Sequence, residues 1–177
     1  MPKNSVKQIE KDEIRILEEL RKNANKSIND IAEKCGFSRQ KVWRVIKNLE
    51  KNHTIWGYTA VVDEEKLEKK GYILLMKRTS RPITEEIVKT MVNRDLANRI
   101  KKIGIDVTNS IFTHGYYDWI ICFNASDIRM AKGFVEELNK NYEGFIKEIH
   151  LIENMFSIVC CGVTNPEIKK LKDFFIV

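Results

Sequence analysis

The chain has 177 residues, 43% of them hydrophobic and 32% charged, the make-up of an ordered globular protein with room for one medium domain or two small ones. The apolar runs, Ile158 to Cys161 among them, cannot span a bilayer, and the opening MPKNSVKQIEKDE lacks the apolar core of a secretory signal, so a cytoplasmic protein without a membrane partner is expected. The net charge of +6 is unevenly placed: residues 1–62 hold 13 Lys/Arg against 8 Asp/Glu, and residues 63–177 hold 18 against 17, which points to a polyanionic partner for the N-terminal part.

In chain order, Gln8 to Lys22 reads as a helix, with Ile9, Ile16, Leu17 and Leu20 on one side and Ile14 beside them. Asn23 to Lys26 is a turn. Ser27 is an N-cap residue with Asp30 three positions on, and Ile28, Ile31, Ala32 and Cys35 line one face of a short helix. Gly36 can take the left-handed conformation that ends it. Ser38 is a second N-cap, and Val42, Val45, Ile46 and Leu49 repeat the apolar spacing.

Two helices joined by a tight turn make a helix-turn-helix. On the second helix Gln40, Arg44, Lys47 and Lys51 point away from the apolar stripe, flanked by Arg39, Lys41 and Trp43. Arg and Gln meet base edges in a major groove, while Lys and Ser suit phosphates. Charge runs are most often solvated faces, but here cap, turn glycine, second cap and charge agree. The expected DNA-binding residues are therefore Lys26, Ser27, Ser38, Arg39, Gln40, Lys41, Trp43, Arg44, Lys47 and Lys51, with double-stranded DNA as partner.

After Leu49 the helix ends near Asn52-His53, two types that tolerate the left-handed region. Ile55 to Val62 is strand-like, either a small wing or a strand leaving the domain. The charged run 63–71 is a short hinge, which divides the chain into a DNA-binding domain, 1–62, and a second domain, 72–177. There Tyr72 to Lys77 reads as a strand. Thr84 to Lys102 reads as one helix, with Ile87, Val88, Met91, Val92, Leu96, Ile100 and Ile103 inward. Ile111 to His114 and Trp119 to Asn124 read as a hairpin joined at Gly115. A helix follows, carrying Ala131, Phe134, Val135, Leu138 and Tyr142. Phe145 to Val163 reads as one long or bent strand, and Asn165-Pro166 starts a last helix. Strand–helix–strand–strand–helix–strand is the split βαβ, or ferredoxin-like, order. The fold class is thus α+β: a winged helix-turn-helix followed by a ferredoxin-like domain. Trp119, Ile121, Phe123, Phe156 and Ile158 exceed what one sheet face needs, which argues for a second subunit on the other face.

Cys35 and Cys122 read as small core residues, and Cys160 and Cys161 as strand neighbours facing opposite sides. With no CxxC pair, neither a structural zinc site nor a disulfide framework is expected. No nucleophile–base pair or phosphate loop stands out, so neither enzymatic activity nor a cofactor is expected.

The pattern resembles the leucine-responsive regulator/AsnC (Lrp/AsnC) family of bacterial and archaeal transcription regulators, over nearly the whole chain, and an archaeal source is expected. The resemblance rests on DEIRILEEL at 12–20, Ile31-Ala32 with Gly36 and Ser38, Val42, Ile46-Lys47, Leu49-Glu50, and Ile55 with Gly57-Tyr58. In the second domain it rests on Gly115-Tyr116-Tyr117-Asp118-Trp119, similar to the family's Gly-x-x-Asp-aromatic hairpin. It implies a homodimer that can assemble into an octamer, and an amino-acid effector. The turn residues Gly115, Tyr116, Tyr117 and Asp118 are the expected effector site: Gly115 admits a close backbone approach, backbone N–H groups can hold a carboxylate, and Asp118 can accept from an ammonium. Against this stands a plain hairpin in which Asp118 fixes the turn through its own backbone. Two other functions share the architecture. One is a sirohaem decarboxylase-like enzyme, for which His114 is present but no Arg follows it. The other is a small-molecule-binding module that has lost DNA binding, against which the basic N-terminal part argues.

Overall fold

The computed structural model describes residues 6–176. The first five residues of the expected DNA-binding domain, and the last of the second domain, lie outside the described residues. The chain divides into two compact units, Met1–Val61 and Val62–Val177.

The first unit is three helices, α1 (Val6–Lys22), α2 (Ile28–Cys35) and α3 (Arg39–Lys51), around Ile16, Ile31, Ala32, Cys35, Val42 and Ile46. These are the positions the 3.6-residue period brings inward, and each side chain of Leu or Ile size stabilises the unit by roughly 1.5–3 kcal/mol when fully buried. Ile9 and Ile14, read as part of that face or next to it, stay exposed. After α3, His53 takes the left-handed conformation (φ 60°), and Ile55 N–H donates to Leu49 O, closing the helix end. Residues 56–62 form no regular secondary structure. Among the described residues no β-ladder forms over this stretch, so it is not the regular strand its residue types suggested.

In the second unit, Asp63 caps a 3-10 turn (Glu64–Leu67). The unit then follows β1 (Lys70–Arg78), α4 (Glu85–Asn93), α5 (Asp95–Lys102), β2 (Asp106–Phe112), β3 (Trp119–Ala125), α6 (Ile128–Asn141) and β4 (Ile146–Glu153). The sheet is antiparallel with strand order β2-β3-β1-β4, the ferredoxin-like arrangement. Lys70 and Gly71, placed by sequence in the hinge, are the first residues of β1.

Several elements differ from the sequence reading; the strand read over Ile111 to His114 is β2, which starts five residues earlier, at Asp106, and ends at Phe112. The single helix expected over Thr84 to Lys102 is two, because Arg94 takes a left-handed conformation (φ 56°, ψ 27°) that ends α4 and starts α5. The break turns Leu96 and Ile100 into the core and leaves Val88, Val92 and Ile103 exposed. A continuous apolar period does not report such a change of axis. The strand expected over Phe145 to Val163 stops at Glu153. Beyond a connecting segment, β5 (Val159–Cys160) and β6 (Val163–Thr164) form a separate two-residue hairpin. The last helix is a 3-10 turn (Ile168–Leu171) followed by α7 (Lys172–Phe175), with Asn165 Oδ1 accepting from Glu167 N–H at its start.

Strand alternation assigns the sheet faces. Tyr72, Leu74 and Met76 of β1, and Trp119, Ile121 and Phe123 of β3, are buried with Phe134 and Leu138 of α6. The rings of Phe123 and Phe134 meet edge-on at 4.9 Å, and the Trp119 indole N–H donates to Ser110 Oγ at 3.0 Å. Trp119, Ile121 and Phe123, counted as surplus for a subunit contact, are thus the core under α6. The residues on the other face are Ile73, Leu75, Ile120, Cys122 and Ile152, set by register: Ile73 lies between Cys122 and Ile152, and Leu75 beside Ile120. The expectation of an apolar second face holds on different side chains.

Candidate nucleic-acid interface and effector turn

The helix-turn-helix is fixed by short-range hydrogen bonds. Ser27 Oγ accepts from Asp30 N–H and Asp30 Oδ2 accepts from Ser27 N–H, the reciprocal capping box with Asp in the usual Glu place. Gly36 ends α2 at φ 64° with its N–H donating to Ala32 O and Glu33 O. Ser38 Oγ then accepts from Lys41 N–H at the start of α3. With Val42, Ile46 and Leu49 buried, the opposite side of α3 has to face out.

That side carries Arg39, Gln40, Trp43, Arg44, Lys47 and Lys51, all exposed. Arg39, Arg44 and Lys51 take part in none of this unit's ion pairs among the described residues. Lys47 pairs with Glu50 one turn on, at 2.7 Å, and Tyr58 O–H donates to the same carboxylate. Ser27 and Ser38 spend their hydroxyl oxygens on caps and keep a free O–H.

Two of the ten expected DNA residues are engaged elsewhere. Lys41 Nζ lies 2.5 Å from Asp12 Oδ2, with its ammonium 3.9 Å from the Phe37 ring centroid. Asp12 is 4% exposed and also accepts from Gln8. The Lys41 hydrogen bond holds its carboxyl below the usual range although burial pulls the other way. A buried carboxylate left without this partner is costly, so Lys41 serves as a tie from α3 to α1. Lys26 lies 2.7 Å from Glu19, which also meets Lys22. Lys22 and then Lys26 pull the Glu19 carboxyl down to about 2. Neither tie was legible in the sequence, because the partners sit 29 and 7 residues away. The sequence also missed an open cavity of about 580 Å³ between α1 and the segment after α3, lined by Ile14, Leu17, Arg21, Trp56 and Tyr58 among others. Its only signal was an aromatic pair in a segment read as a strand.

The turn 113–118 joins β2 to β3. Thr113 N–H donates to Asp118 O, and Thr113 Oγ1 donates to Tyr117 O. The backbone O of Asp118 thus closes the turn, while its side chain reaches outside it. Its N–H donates to Met76 O, its Oδ2 accepts from Arg78 N–H at 2.9 Å, and its Oδ1 lies 3.4 Å from Arg78 Nε, so it locks the turn to β1. Gly115 is not in the left-handed region, and a Cβ there would meet nothing within 4 Å. No packing within the chain demands glycine at this position. Tyr116 and Tyr117 lean toward the open face of the sheet: Lys77 Nζ lies 3.2 Å from the Tyr116 ring centroid, and Tyr117 meets His150 edge-on at 5.8 Å. Glu148 completes the group, 2.6 Å from His150 Nε2 and 3.5 Å from Lys77 Nζ. His150 first, then Lys77, hold the Glu148 carboxyl below its ordinary range. The four expected effector residues thus sit beside a cation, an anion and an imidazole that the sequence reading did not name.

Among the described residues, no group of three or more His, Cys, Asp or Glu stands ready for a metal ion, and no helix is long and apolar enough to cross a membrane.

Residues 13–55 match a family described as winged helix-turn-helix DNA-binding. No curated protein matches the chain. Solved structures do. An AsnC family transcriptional regulator from Agrobacterium tumefaciens is 19% identical, with 93% of this chain and 98% of that one covered at a TM-score of 0.63. The leucine response regulatory protein of Mycobacterium tuberculosis is 12% identical, covering 85% and 94% at 0.64. A transcriptional regulator of Neisseria meningitidis, solved in complex with L-Met, is 16% identical, covering 85% and 92% at 0.60. At these identities the likeness is one of fold, and it extends over both units.

Proposed function

We propose that this chain is a sequence-specific DNA-binding transcription regulator of the Lrp/AsnC type, working as a homodimer or higher even oligomer and modulated by an amino acid or similar small zwitterion. The observation that carries the proposal is the α3 face: Gln40 and Arg44 exposed near the start of a capped, buried-backed helix, with Arg39, Lys47 and Lys51 around them. Arg44 and Gln40 would read base edges, and Arg39, Lys47 and Lys51 with the Ser27 and Ser38 hydroxyls would meet phosphates. Residues 1–62 form the DNA-binding domain in this reading, 63–71 the connection, and 72–177 the oligomerisation and effector domain.

The dimer reading is supported by the open sheet face, where Ile73, Leu75, Ile120, Cys122 and Ile152 would lose water against a second copy. The effector reading is supported by the 113–118 turn with its neighbours. Lys77 would take a carboxylate and Asp118 or Glu148 an ammonium. The Neisseria regulator solved with L-Met has the same fold.

Selection from random duplex DNA with the full chain tests the class: a two-fold symmetric consensus is the expected result. Recovery of unenriched sequence, with the protein folded and dimeric, would overturn it. Calorimetry against free amino acids then tests the effector. Heat from one of them that is lost in Asp118→Ala is expected, and silence across the panel would leave the turn as scaffold.

A further inference from the structure

Cys160 and Cys161 play no part in the reading above. As strand neighbours they would face opposite sides, but the strand ends at Cys160. Val159 pairs with Thr164 and Cys160 with Val163, so Cys161 and Gly162 are the whole loop of a two-residue hairpin. Their φ values are 49° and 80°, both positive as a type I′ turn requires. The left-handed region is ordinary for glycine and rare for cysteine. Taking it there breaks the alternation and brings the Cys161 sulfur to the Cys160 side, with Sγ to Sγ at 3.9 Å. Both residues are exposed, and both are free thiols.

Chemistry narrows what such a pair takes. A disulfide between adjacent residues must bridge Cα atoms about 3.8 Å apart across a trans peptide, closer than disulfides usually span. A tetrahedral zinc ion needs four ligands, and no third His, Cys, Asp or Glu joins the pair among the described residues. Two soft sulfurs suit a thiophilic centre that needs only two donors because it brings its own third substituent.

We propose that the Cys160-Cys161 turn is a dithiol capture site for trivalent organoarsenicals. In the reaction two As–S bonds form as the arsenic–oxygen bond of R–As=O breaks. The two S–H protons leave with that oxygen as one water, and arsenic stays trivalent, so no oxidant or reductant enters. Once one sulfur is attached, the second attack is intramolecular, which is why a pair held at this spacing outperforms two separate thiols. Cys35 is buried in the other unit, and Cys122, half-buried in this one, does not cluster with the pair, so neither offers the arsenical a second sulfur.

The test uses the full chain, reduced with a phosphine and titrated with phenylarsine oxide. One arsenic per chain by intact mass spectrometry, with the loss of two titratable thiols, is expected. Cys160→Ser and Cys161→Ser should each weaken capture by roughly 100-fold while leaving the far-ultraviolet dichroism unchanged, since both side chains point outward. An unreactive wild type would overturn the proposal. So would capture by both variants as tight as that of the wild type, which would put the arsenic on Cys35 or Cys122. The test is independent of whether the protein binds DNA.

Discussion

In the helix-turn-helix unit nearly every boundary is set by a residue within four positions: Ser27 with Asp30, Gly36 with Ala32, Ser38 with Lys41. In the sheet unit the defining pairs lie far apart in sequence, Tyr72 beside Phe123 and Glu153, and Thr79 on Phe145 O. Three short-range signals in a row specify a helix pair almost without tertiary help. A sheet exists only when strands some 50 and 80 residues apart meet in register, and its local signals, including the apolar run through Arg94, can point the wrong way. The two units should therefore respond to different kinds of damage.

The largest expected effect is on the sheet. Phe134→Ala removes a ring buried against Phe123 and should destabilise this unit by about 3–5 kcal/mol. Hydrogen exchange resolved by segment should show β1, β3 and β4 losing protection while α1 to α3 keep theirs. Equal loss in both units would mean that they fold as one. Next comes the interface. Arg44→Ala should cost about 1–3 kcal/mol at the selected DNA site and little elsewhere. Lys47→Ala should weaken all duplexes alike and reduce the log–log salt slope by about one. Titrations at two salt concentrations separate the two effects. Lys41→Ala sharpens the contrast, since it should act through lost stability as Asp12 is left unpaired, not through the salt slope.

A smaller effect tests how local the first unit is. Ser38→Ala removes the α3 cap and should cost roughly 0.5–2 kcal/mol, read as faster exchange confined to α3 and its neighbours. The smallest effect is on pH dependence. The Glu19 carboxyl is pulled from 4.5 to about 2 by Lys22 and Lys26, so the folded state favours its ionised form. Its contribution is fully present above about pH 4.5 and disappears as pH falls toward 2. Acid titration followed by dichroism should show a shallower decline for Glu19→Gln over that window. An unchanged slope would place the acid sensitivity with Asp12.

Legibility divides along the same line. The caps, the turn glycine, the inward face of α3 and its outward basic row could all be read from residue types at fixed spacings, because a helix converts spacing directly into direction. The left-handed turn at His53 was readable for the same reason. In the sheet unit the element order was readable and the faces were not. Trp119, Ile121 and Phe123 alternate correctly, but only the helix packed above decides which side they share.

What the sequence determined by itself is therefore local: where the helices of the first unit start and stop, the order of the main strands and helices in the second, where the positive charge gathers, and that a Gly-Tyr-Tyr-Asp turn joins two strands. Tertiary structure decided the rest. It withdrew Lys41 and Lys26 from the expected DNA contacts by giving them buried or clustered carboxylates. It tied Asp118 to Arg78 and gathered Lys77, Glu148 and His150 beside the turn. It broke a helix at Arg94 and bent the chain at Cys161 so that two sulfurs meet. In each case the physical reason is the same. An ionic partner, a change of axis or a reversed turn depends on what lies nearby in space, and spacing along the chain does not encode that.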